Sequence, residues 1–284
     1  VKYNIMKKNL LVSFSGGETS AFMAQWLLKH KQDEYSMIFV FANTGEENEE
    51  TLEFVDKCDK EFDLDVVWVE AIVHHGERKG TSHRIVDFKT ASRKGQPFEE
   101  VIKKYGIPNQ AFPHCNREMK LRPIHSYIKN SLGWKDYYTA IGIRVDEIDR
   151  MVADRSTYNI IYPLIEDVRM TKIKINFWWD NQSFRLKLKG YQGNCKTCWK
   201  KSKKNLCKIA QESPEYYDFF KRMEDKYALV TPLERDEVLD EHGNKKPMTF
   251  FRGGVSVQEI FDLSENFNEI VRDSHKNINY HYYQ

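Results

Sequence analysis

A chain of 284 residues is long enough for one large domain or two small ones. Lys and Arg together number 44 and Asp and Glu 42, so the net charge of +2 indicates no polyanionic partner unless charge clusters locally. Hydrophobic residues make up 40% of the chain, enough for a core, and no apolar run approaches the ~18–20 residues of a membrane helix.

Short apolar runs alternate with helical patterns in the first half of the chain. Strands are predicted at residues 9–14, 37–42, 66–71 and 137–143, and helices at residues 21–30, 46–62 and 119–132. The alternation predicts an α/β fold, a parallel Rossmann-like sheet with helices on both faces. Ligands bind beyond the carboxyl ends of such strands, so the loops after Phe14, Ala42 and Ile141 are expected to share one crevice.

The pattern is different in two later regions. Residues 74–95 are polar and irregular, which is typical of a mobile flap or a partly disordered loop. Beyond about residue 171, helices are predicted at 172–180 and 214–227, and a charged hairpin or loop at 235–246. We therefore expect an α/β domain over residues 1–165 and a mostly helical, cysteine-bearing region over 166–284; alternatively, the second region wraps the sheet.

Residues 13–20 (SFSGGETS), here called the Ser-Gly-Gly loop, join the first predicted strand to the first helix. Glycines let a backbone approach a phosphate closely, and the amides at a helix start favour an anion. Ser13, Ser15, Thr19 and Ser20 add hydroxyl donors, while the spacing is neither a Walker loop nor GxGxxG. The alternative is a plain turn with a Ser or Thr helix cap. The position of the Ser-Gly-Gly loop directly after the first buried strand favours phosphate binding over a plain turn.

Several segments together resemble the PP-loop ATP pyrophosphatase and phosphoadenosine phosphosulfate (PAPS) reductase superfamily. SGGETS resembles its SGGxxS loop, and residues 41–51 (FANTGEENEET) resemble DTGxxFxET. Residues 115–123 (CNREMKLRP) resemble C-x-R-x-x-K-x-x-P, and residues 142–150 (GIRVDEIDR) resemble GxRxxEsxxR. YPL at 162–164 and GNCxxC from residue 193 resemble especially the phage-encoded and DNA-phosphorothioation-related branches. The resemblance runs from about residue 9 to 210 and implies an adenine nucleotide alpha hydrolase-like fold, with residues 1–165 as the PP-loop domain.

The resemblance also implies roles for individual residues, with ATP or a related adenine nucleotide and Mg²⁺ as cofactors. The phosphates would be held by Ser13, Ser15, Gly16, Gly17, Thr19, Ser20 and Arg144. The nucleoside would be bordered by Asn43, Thr44 and Gly45, and the anionic end of the substrate by Arg117 and Lys120. Asp146 and Glu147 would hold Mg²⁺ or orient Arg144, so that Arg144, Asp146 and Lys120 are the candidate catalytic residues.

These roles have structural alternatives, and the chain departs from the family pattern at two positions. Arg144 could instead form a surface salt bridge with Asp146 or Glu147, and Arg117 and Lys120 could lie on a solvated helix face. The family's usual Lys-Asp after the glycines is Glu18-Thr19 here, and its usual second-segment Asp is Asn43. Both departures weaken the expectation of ATP hydrolysis more than that of nucleotide binding.

The chain has five cysteines and no secretion-signal pattern at its start, which favours reduced cytosol over a disulfide framework. Cys195 and Cys198 form a CxxC, whose two thiolates can bind one metal ion; four thiolates suit Zn²⁺ or a [4Fe–4S] cluster. The resemblance implies a [4Fe–4S] cluster, or alternatively Zn²⁺, held by Cys115, Cys195, Cys198 and Cys207. Cys207 could instead be a core thiol, with His114 as fourth ligand or a three-cysteine site. Cys58 is expected in the core.

Residues 185–208 form a basic segment that contains no acidic residue. Tyr191 and Trp199 are interleaved with its cations, a combination that can hold a phosphate backbone and stack a base. A solvated surface is the alternative. The cations are Arg185, Lys187, Lys189, Lys196, Lys200, Lys201, Lys203, Lys204 and Lys208.

Three functions follow from these patterns. The first is an ATP-dependent enzyme that transfers AMP or releases pyrophosphate, coupled to sulfur chemistry and with nucleic acid as a possible acceptor. The second is a sulfonucleotide reductase, which is less expected because no cysteine follows Cys207 to act as the nucleophile. The third is a non-catalytic nucleotide-binding or sensor module, which Glu18 and Asn43 favour.

Overall fold

The computed structural model describes residues 6–76, 79–231 and 237–265. Its strands are β1 (Lys8–Ser13), β2 (Tyr35–Ala42), β3 (Val67–Val73), β4 (Thr81–Val86), β5 (Tyr138–Ala140) and β6 (Ile160–Ile161). Its α-helices are α1 (Glu18–Lys31), α2 (Glu49–Phe62), α3 (Gln96–Tyr105), α4 (His114–Asn116), α5 (Arg122–Asn130), α6 (Pro163–Glu166), α7 (Lys172–Asp180), α8 (Lys203–Glu212), α9 (Asp218–Tyr227) and α10 (Val257–Glu265). A π-helical turn covers Arg117–Leu121, and 3-10 turns cover Val145–Arg150 and Pro214–Tyr217.

The strands form one six-stranded sheet in the order β4-β3-β2-β1-β5-β6. All neighbours are parallel except β3 and β4. In the register, Ser13 pairs with Val40 and Val12 with Ala140, so β1, β2 and β5 end at the same edge. The strand order reverses at β1, because the chain proceeds to β2 on one side and β5 lies on the other. Such a reversal is where α/β proteins bind ligands.

The two faces of the sheet are covered by different helices, as the sequence predicts. Leu10 and Val12 of β1 point to the face where α1, including Leu27, packs. Leu11, between them in sequence, points to the opposite face and packs with Ile128 of α5. The α/β fold with helices on both faces is therefore confirmed.

Residues 81–86 correct the expectation of an irregular segment at 74–95. They form β4, which pairs with β3 from Val73↔Thr81 to Trp68↔Val86. An edge strand pairs through its backbone and tolerates polar side chains such as Ser82 and His83, so no apolar run marks it in the sequence.

The chain forms two compact units that interleave in sequence. The first consists of the described residues of Val1–Pro97 and Arg117–Lys189, and the second of those of Phe98–Asn116 and Gly190–Gln284. Helix α7 belongs to the first unit, where its Trp179 is buried and packs on Phe54. The division into domains at 1–165 and 166–284 stays a prediction.

Two smaller features complete the described chain. In the second unit, Leu239 and Lys245 form an antiparallel bridge around a turn in which Asp240 accepts the amides of His242 and Asn244. This is the expected charged hairpin, whose residues 235 and 236 lie outside the described ranges. Across the described residues, no helix has both the length and the apolarity required to cross a bilayer.

Candidate functional site

The Ser-Gly-Gly loop requires its first glycine. Gly16 has a φ of +82°, and a Cβ at this position would lie 2.7 Å from Cγ2 of Thr51 and 3.0 Å from the Phe41 ring. A side chain at residue 16 would therefore be strained in its backbone and would collide with α2. Packing against α2 and β2 holds the loop close to the end of β1.

The loop leads directly into the positive end of α1. The amide of Ala21 donates to the Gly17 carbonyl at 3.0 Å, which makes Gly17 the helix cap. The amides before Ala21 precede the first helical hydrogen bond, and such amides have no acceptor within their own helix. They are suited to an anion at this end of the helix.

Ser20 braces the loop from within. Its hydroxyl accepts the Ser15 amide at 3.2 Å and donates to the Gly17 carbonyl at 2.9 Å. The Ser15 and Ser20 hydroxyl oxygens lie 3.0 Å apart. One amide that we expected to bind phosphate is thus engaged inside the loop, and the buried Ser20 shapes the loop.

Arg144 lies at the same edge of the sheet as the loop. It follows β5, the neighbour of β1, and its Nη1 donates to the hydroxyl of Thr19 at 2.9 Å. The backbone here passes close to α1, since a Cβ on Gly142 would be 3.5 Å from Cα of Ser20. The structure therefore brings together the first and fourth segments that the sequence analysis singled out.

Asp146 and Glu147 hold the Arg144 guanidinium. Asp146 accepts Nε and Nη2 at 3.2 Å each, and Glu147 lies 3.2 Å from Nη1. The hydrogen bond from Arg144 lowers the pKa of Asp146 below its ordinary value. Of the two roles expected for these carboxylates, this geometry supports the orientation of Arg144.

The carboxylate of Glu18 is bound to Arg185. Nε and Nη2 of Arg185 donate to the two carboxylate oxygens at 2.9 and 3.0 Å, which is a bidentate pair. The indole of Trp179 donates to the Glu18 carbonyl at 3.0 Å. This pairing raises the pKa of Arg185. Arg185, which we expected in the basic segment, is instead a contact of the Ser-Gly-Gly loop.

Asn43 lies in a buried polar network that the sequence analysis missed. Its amide nitrogen donates to Glu70 at 2.6 Å and to the Ser92 carbonyl at 2.9 Å. Glu70 is fully buried and also accepts Arg84 at 2.9 Å and the Ser92 amide at 2.6 Å. The available signal was a lone glutamate within the apolar run VWVEAIV of β3.

Thr44 and Gly45 are likewise engaged within the protein. The amide and hydroxyl of Thr44 both donate to Glu47, at 2.9 and 2.8 Å. Gly45 has a φ of +83°, and a Cβ there would be 3.1 Å from Gly95. The three residues expected to border a nucleoside are therefore buried and hold neighbouring segments together.

Arg117 points to a buried carboxylate rather than to the Ser-Gly-Gly loop. Glu118 is 1% exposed and accepts Arg117 at 2.7 Å, Arg122 at 3.0 Å and the hydroxyl of Thr81 at 2.6 Å. Burial opposes ionisation of Glu118, but these partners outweigh it and lower its pKa. Lys120 is half-buried and forms no ion pair or hydrogen bond with the described residues.

The cysteines of the predicted metal site lie in the second unit. Cys207 is buried in α8, where burial raises the pKa of its thiol, and the Nε2 of His114 donates to the Gly106 carbonyl at 2.9 Å. No cysteine forms a disulfide, and Cys58 is fully buried in the core as predicted. In residues 6–76, 79–231 and 237–265, no group of three or more His, Cys, Asp or Glu side chains is arranged to hold a metal ion. The cysteine ligand set stays a prediction.

In the basic segment, only one of the two aromatic side chains that were expected to stack on a base is accessible. Trp199 is buried, so its ring is not exposed for a base. The ammonium of Lys208 lies 4.3 Å from the Tyr191 ring centre, and Lys201 donates to the Cys195 carbonyl at 2.6 Å. Binding of nucleic acid would therefore depend on the remaining lysines.

Comparison with known proteins decides the family. Residues 9–158 match the phosphoadenosine phosphosulfate reductase domain, a span that includes the Ser-Gly-Gly loop and Arg144. The chain belongs to the PAPS reductase domain family. PAPS reductase domains bind adenine nucleotides, and proteins that carry them are usually enzymes.

Relatives of this PAPS reductase domain protein occur in a phage and in an archaeon. It is 31% identical to "Uncharacterized nin region protein ORF290" of Escherichia phage lambda, over 90% of this chain and 85% of the relative. It is 32% identical to "Uncharacterized protein MJ0973" of Methanocaldococcus jannaschii over 50% of this chain and 28% of the relative. For "Uncharacterized protein MJ0066" of the same organism, the identity is 26% over 50% of this chain and 24% of the relative. The phage protein is thus similar over most of both lengths.

Proposed function

We propose that this chain binds ATP at the Ser-Gly-Gly loop and transfers AMP to an oxygen atom of a second substrate, releasing pyrophosphate. The single observation that carries the proposal is the hydrogen bond of 2.9 Å between Arg144 and Thr19 at the point where the strand order reverses. It places a held guanidinium beside the first turn of α1, where phosphate oxygens bind in α/β proteins.

The proposed step is a substitution at the α-phosphorus of ATP. An oxygen of the second substrate forms a bond to this phosphorus, the bond to the α–β bridging oxygen breaks, and pyrophosphate leaves with the electron pair. The amides at the start of α1 and the guanidinium of Arg144 stabilise charge on the leaving phosphates. Asp146 and Glu147 keep Arg144 in place before the nucleotide arrives, so little reorganisation is needed.

Each of the two departures from the family pattern has partners within the protein. Glu18 is paired with Arg185, and Asn43 is engaged with Glu70 and Ser92. These pairings favour an active enzyme over a lapsed nucleotide-binding module.

The finer parts of the proposal are Mg²⁺, sulfur chemistry at the cysteines, and a nucleic-acid acceptor held by the basic segment. Among the described residues, no group of three or more metal-ligating side chains is assembled, so no step is derived through a cluster. Anaerobic purification followed by iron, zinc and acid-labile sulfide counts tests the cysteine set Cys115, Cys195, Cys198 and Cys207. Stoichiometric metal that is lost in Cys195→Ser would support it, and metal-free active protein would refute it.

The central experiment measures pyrophosphate release from ATP and Mg²⁺, with and without nucleic acid. We expect release that rises with the acceptor and falls at least about tenfold in Arg144→Ala. ATP binding without pyrophosphate release under any acceptor would support a sensor module instead. Sulfite release from PAPS with a thiol donor would indicate the reductase.

A further inference from the structure

The ion pair between Glu18 and Arg185 lies at the start of α1, because Glu18 is the first helical residue after the glycines. Glu18 begins α1, one residue after the cap Gly17 and one residue before Thr19, the contact of Arg144. A carboxylate here, if its charge were not balanced, would repel the phosphates of a bound nucleotide.

Arg185 balances that charge with a geometry that is more than a chance surface contact. Both carboxylate oxygens of Glu18 accept, at 2.9 and 3.0 Å, and the third guanidinium nitrogen, Nη1, is bound to Asp180. The side chain of Glu18 is 17% exposed and that of Arg185 is 40% exposed, so the glutamate is the more enclosed partner. All three guanidinium nitrogens therefore have carboxylate partners that fix the side chain.

The backbone around Arg185 is also held against α1. Trp179, which is buried at the end of α7, donates from its indole nitrogen to the Glu18 carbonyl at 3.0 Å. Its ring packs against Phe184, the residue before Arg185, with ring centres 5.6 Å apart. Trp179 therefore contacts both the residue before Arg185 and the first residue of α1, and so holds the two segments together.

We propose that Arg185 is a positioning residue of the nucleotide site, which neutralises Glu18 and keeps its carboxylate turned from the phosphates. The inference rests on the proposed nucleotide site and extends it to a residue 167 positions away in sequence. In this chain a glutamate and an arginine together occupy the place of one cation after the glycines. The glutamate is therefore tolerated there only in the presence of the arginine.

The test is a double-mutant cycle that measures the affinity for α,β-methylene ATP, an analogue that cannot release pyrophosphate. Arg185→Met should weaken affinity about tenfold, because an unbalanced carboxylate then lies beside the phosphates. Adding Glu18→Gln should restore it to within about twofold of the unmodified protein. Lys221→Met is the matched control, since it removes an exposed cation paired with Asp225 on α9, in the second unit.

Two readouts separate this role from a merely structural one. The loss in Arg185→Met should shrink as NaCl rises from about 0.05 M to about 0.5 M, because salt screens the repulsion. Glu18→Gln alone should bind at least as tightly as the unmodified protein, and this variant keeps Arg185 even if Arg185→Met fails to fold. A salt-independent loss, or a loss that Glu18→Gln does not rescue, overturns the inference while leaving the nucleotide site intact. No affinity in the unmodified protein overturns both.

Discussion

Arg144 and Thr19 are 125 residues apart in the chain, yet the guanidinium Nη1 donates to the threonine hydroxyl at 2.9 Å. The contact joins the segment after β5 to the first turn of α1. It exists because β5 lies beside β1, so that the ends of both strands face the same edge. The position of Arg144 is thus a product of sheet topology.

Replacing Arg144 with Ala should weaken the affinity for α,β-methylene ATP by about tenfold to a hundredfold, the range for charged hydrogen bonds to phosphate. Arg144→Lys should recover only part, because a compact ammonium cannot reproduce the two-nitrogen contact of the guanidinium with Asp146. Calorimetric titration measures both. Arg222→Ala, which removes an exposed arginine on α9, is the control. Equal losses in Arg144→Ala and the control would contradict the assignment.

Gly16→Ala should destabilise the chain and abolish nucleotide binding. The new Cβ would be forced onto a backbone with a φ of +82° and would lie 2.7 Å from Cγ2 of Thr51. Gly133→Ala is the matched control, since Gly133 has a φ of +68° but a Cβ added there would meet nothing within 4 Å. The control should cost about 1–2 kcal/mol from backbone strain alone, and Gly16→Ala at least about 2 kcal/mol more.

The steric part of that cost can be isolated with a second substitution. Thr51→Ser removes the Cγ2 that the new methyl would meet, so the double variant should regain some stability in urea unfolding. If Gly16→Ala cost no more than Gly133→Ala, the close packing of the loop on α2 would be refuted.

Asn43→Asp should destabilise the protein near neutral pH. Its carboxylate would face the buried Glu70 across the present 2.6 Å contact, and two carboxylates sharing a site raise one of their pKa values. Because the folded pKa of that group is raised, the stability it costs grows as pH increases above the unfolded value of about 4. Thermal unfolding should therefore show a gap from the unmodified protein at about pH 7 that narrows towards about pH 4.

The combination of Asn43→Asp with Glu70→Gln provides the check, since the amide introduced at position 70 can donate to the carboxylate introduced at position 43. The double variant should be more stable at neutral pH than Asn43→Asp alone. A gap that did not depend on pH would mean that the amide of Asn43, rather than charge, is what the network needs.

Glu118→Gln should make the protein less stable at neutral pH by about 1–2 kcal/mol, because Arg117 and Arg122 lose a buried partner. The pKa of Glu118 is lowered from its ordinary 4.5, so its contribution is present above that value and is lost as pH falls below it. Urea unfolding should therefore show a larger difference at about pH 7 than at about pH 4, because the contribution disappears only as pH falls through the lowered, folded pKa.

Glu53→Gln on the exposed side of α2 controls for the loss of one charge and should change little at either pH. A deficit in Glu118→Gln that was equal at both pH values would indicate that the side chain acts through packing rather than through its charge.

Strands and helices that consist mainly of buried apolar residues could be predicted from the sequence. The strands β1, β2, β3 and β5 follow from short apolar runs, and the predicted residues 172–180 agree with α7. β4 and β6 were missed because an edge strand or a two-residue strand carries no alternating pattern. α3, α8 and α10 were missed although their apolar residues recur at helical spacing between charged residues.

The site was only partly predictable for a related reason. The Ser-Gly-Gly loop and Arg144 could be predicted because each lies in a short contiguous motif. The partners of Glu18 and Asn43 lie elsewhere in the chain, and three-dimensional contact alone pairs Glu18 with Arg185. The sequence indicated where a charge was unusual, but not what compensated it.

The interleaved units have a consequence for synthesis on the ribosome. Phe98, Val101 and Ile102 of α3 are buried in the second unit, where Phe98 packs on Phe219 and Phe250. These aromatic partners emerge more than a hundred residues later, so at ~5–20 residues per second the apolar face of α3 waits roughly 5–25 s for them. During that interval the apolar face of α3 lacks its native partners. A chaperone that binds exposed apolar segments would protect the nascent chain from aggregation in this period.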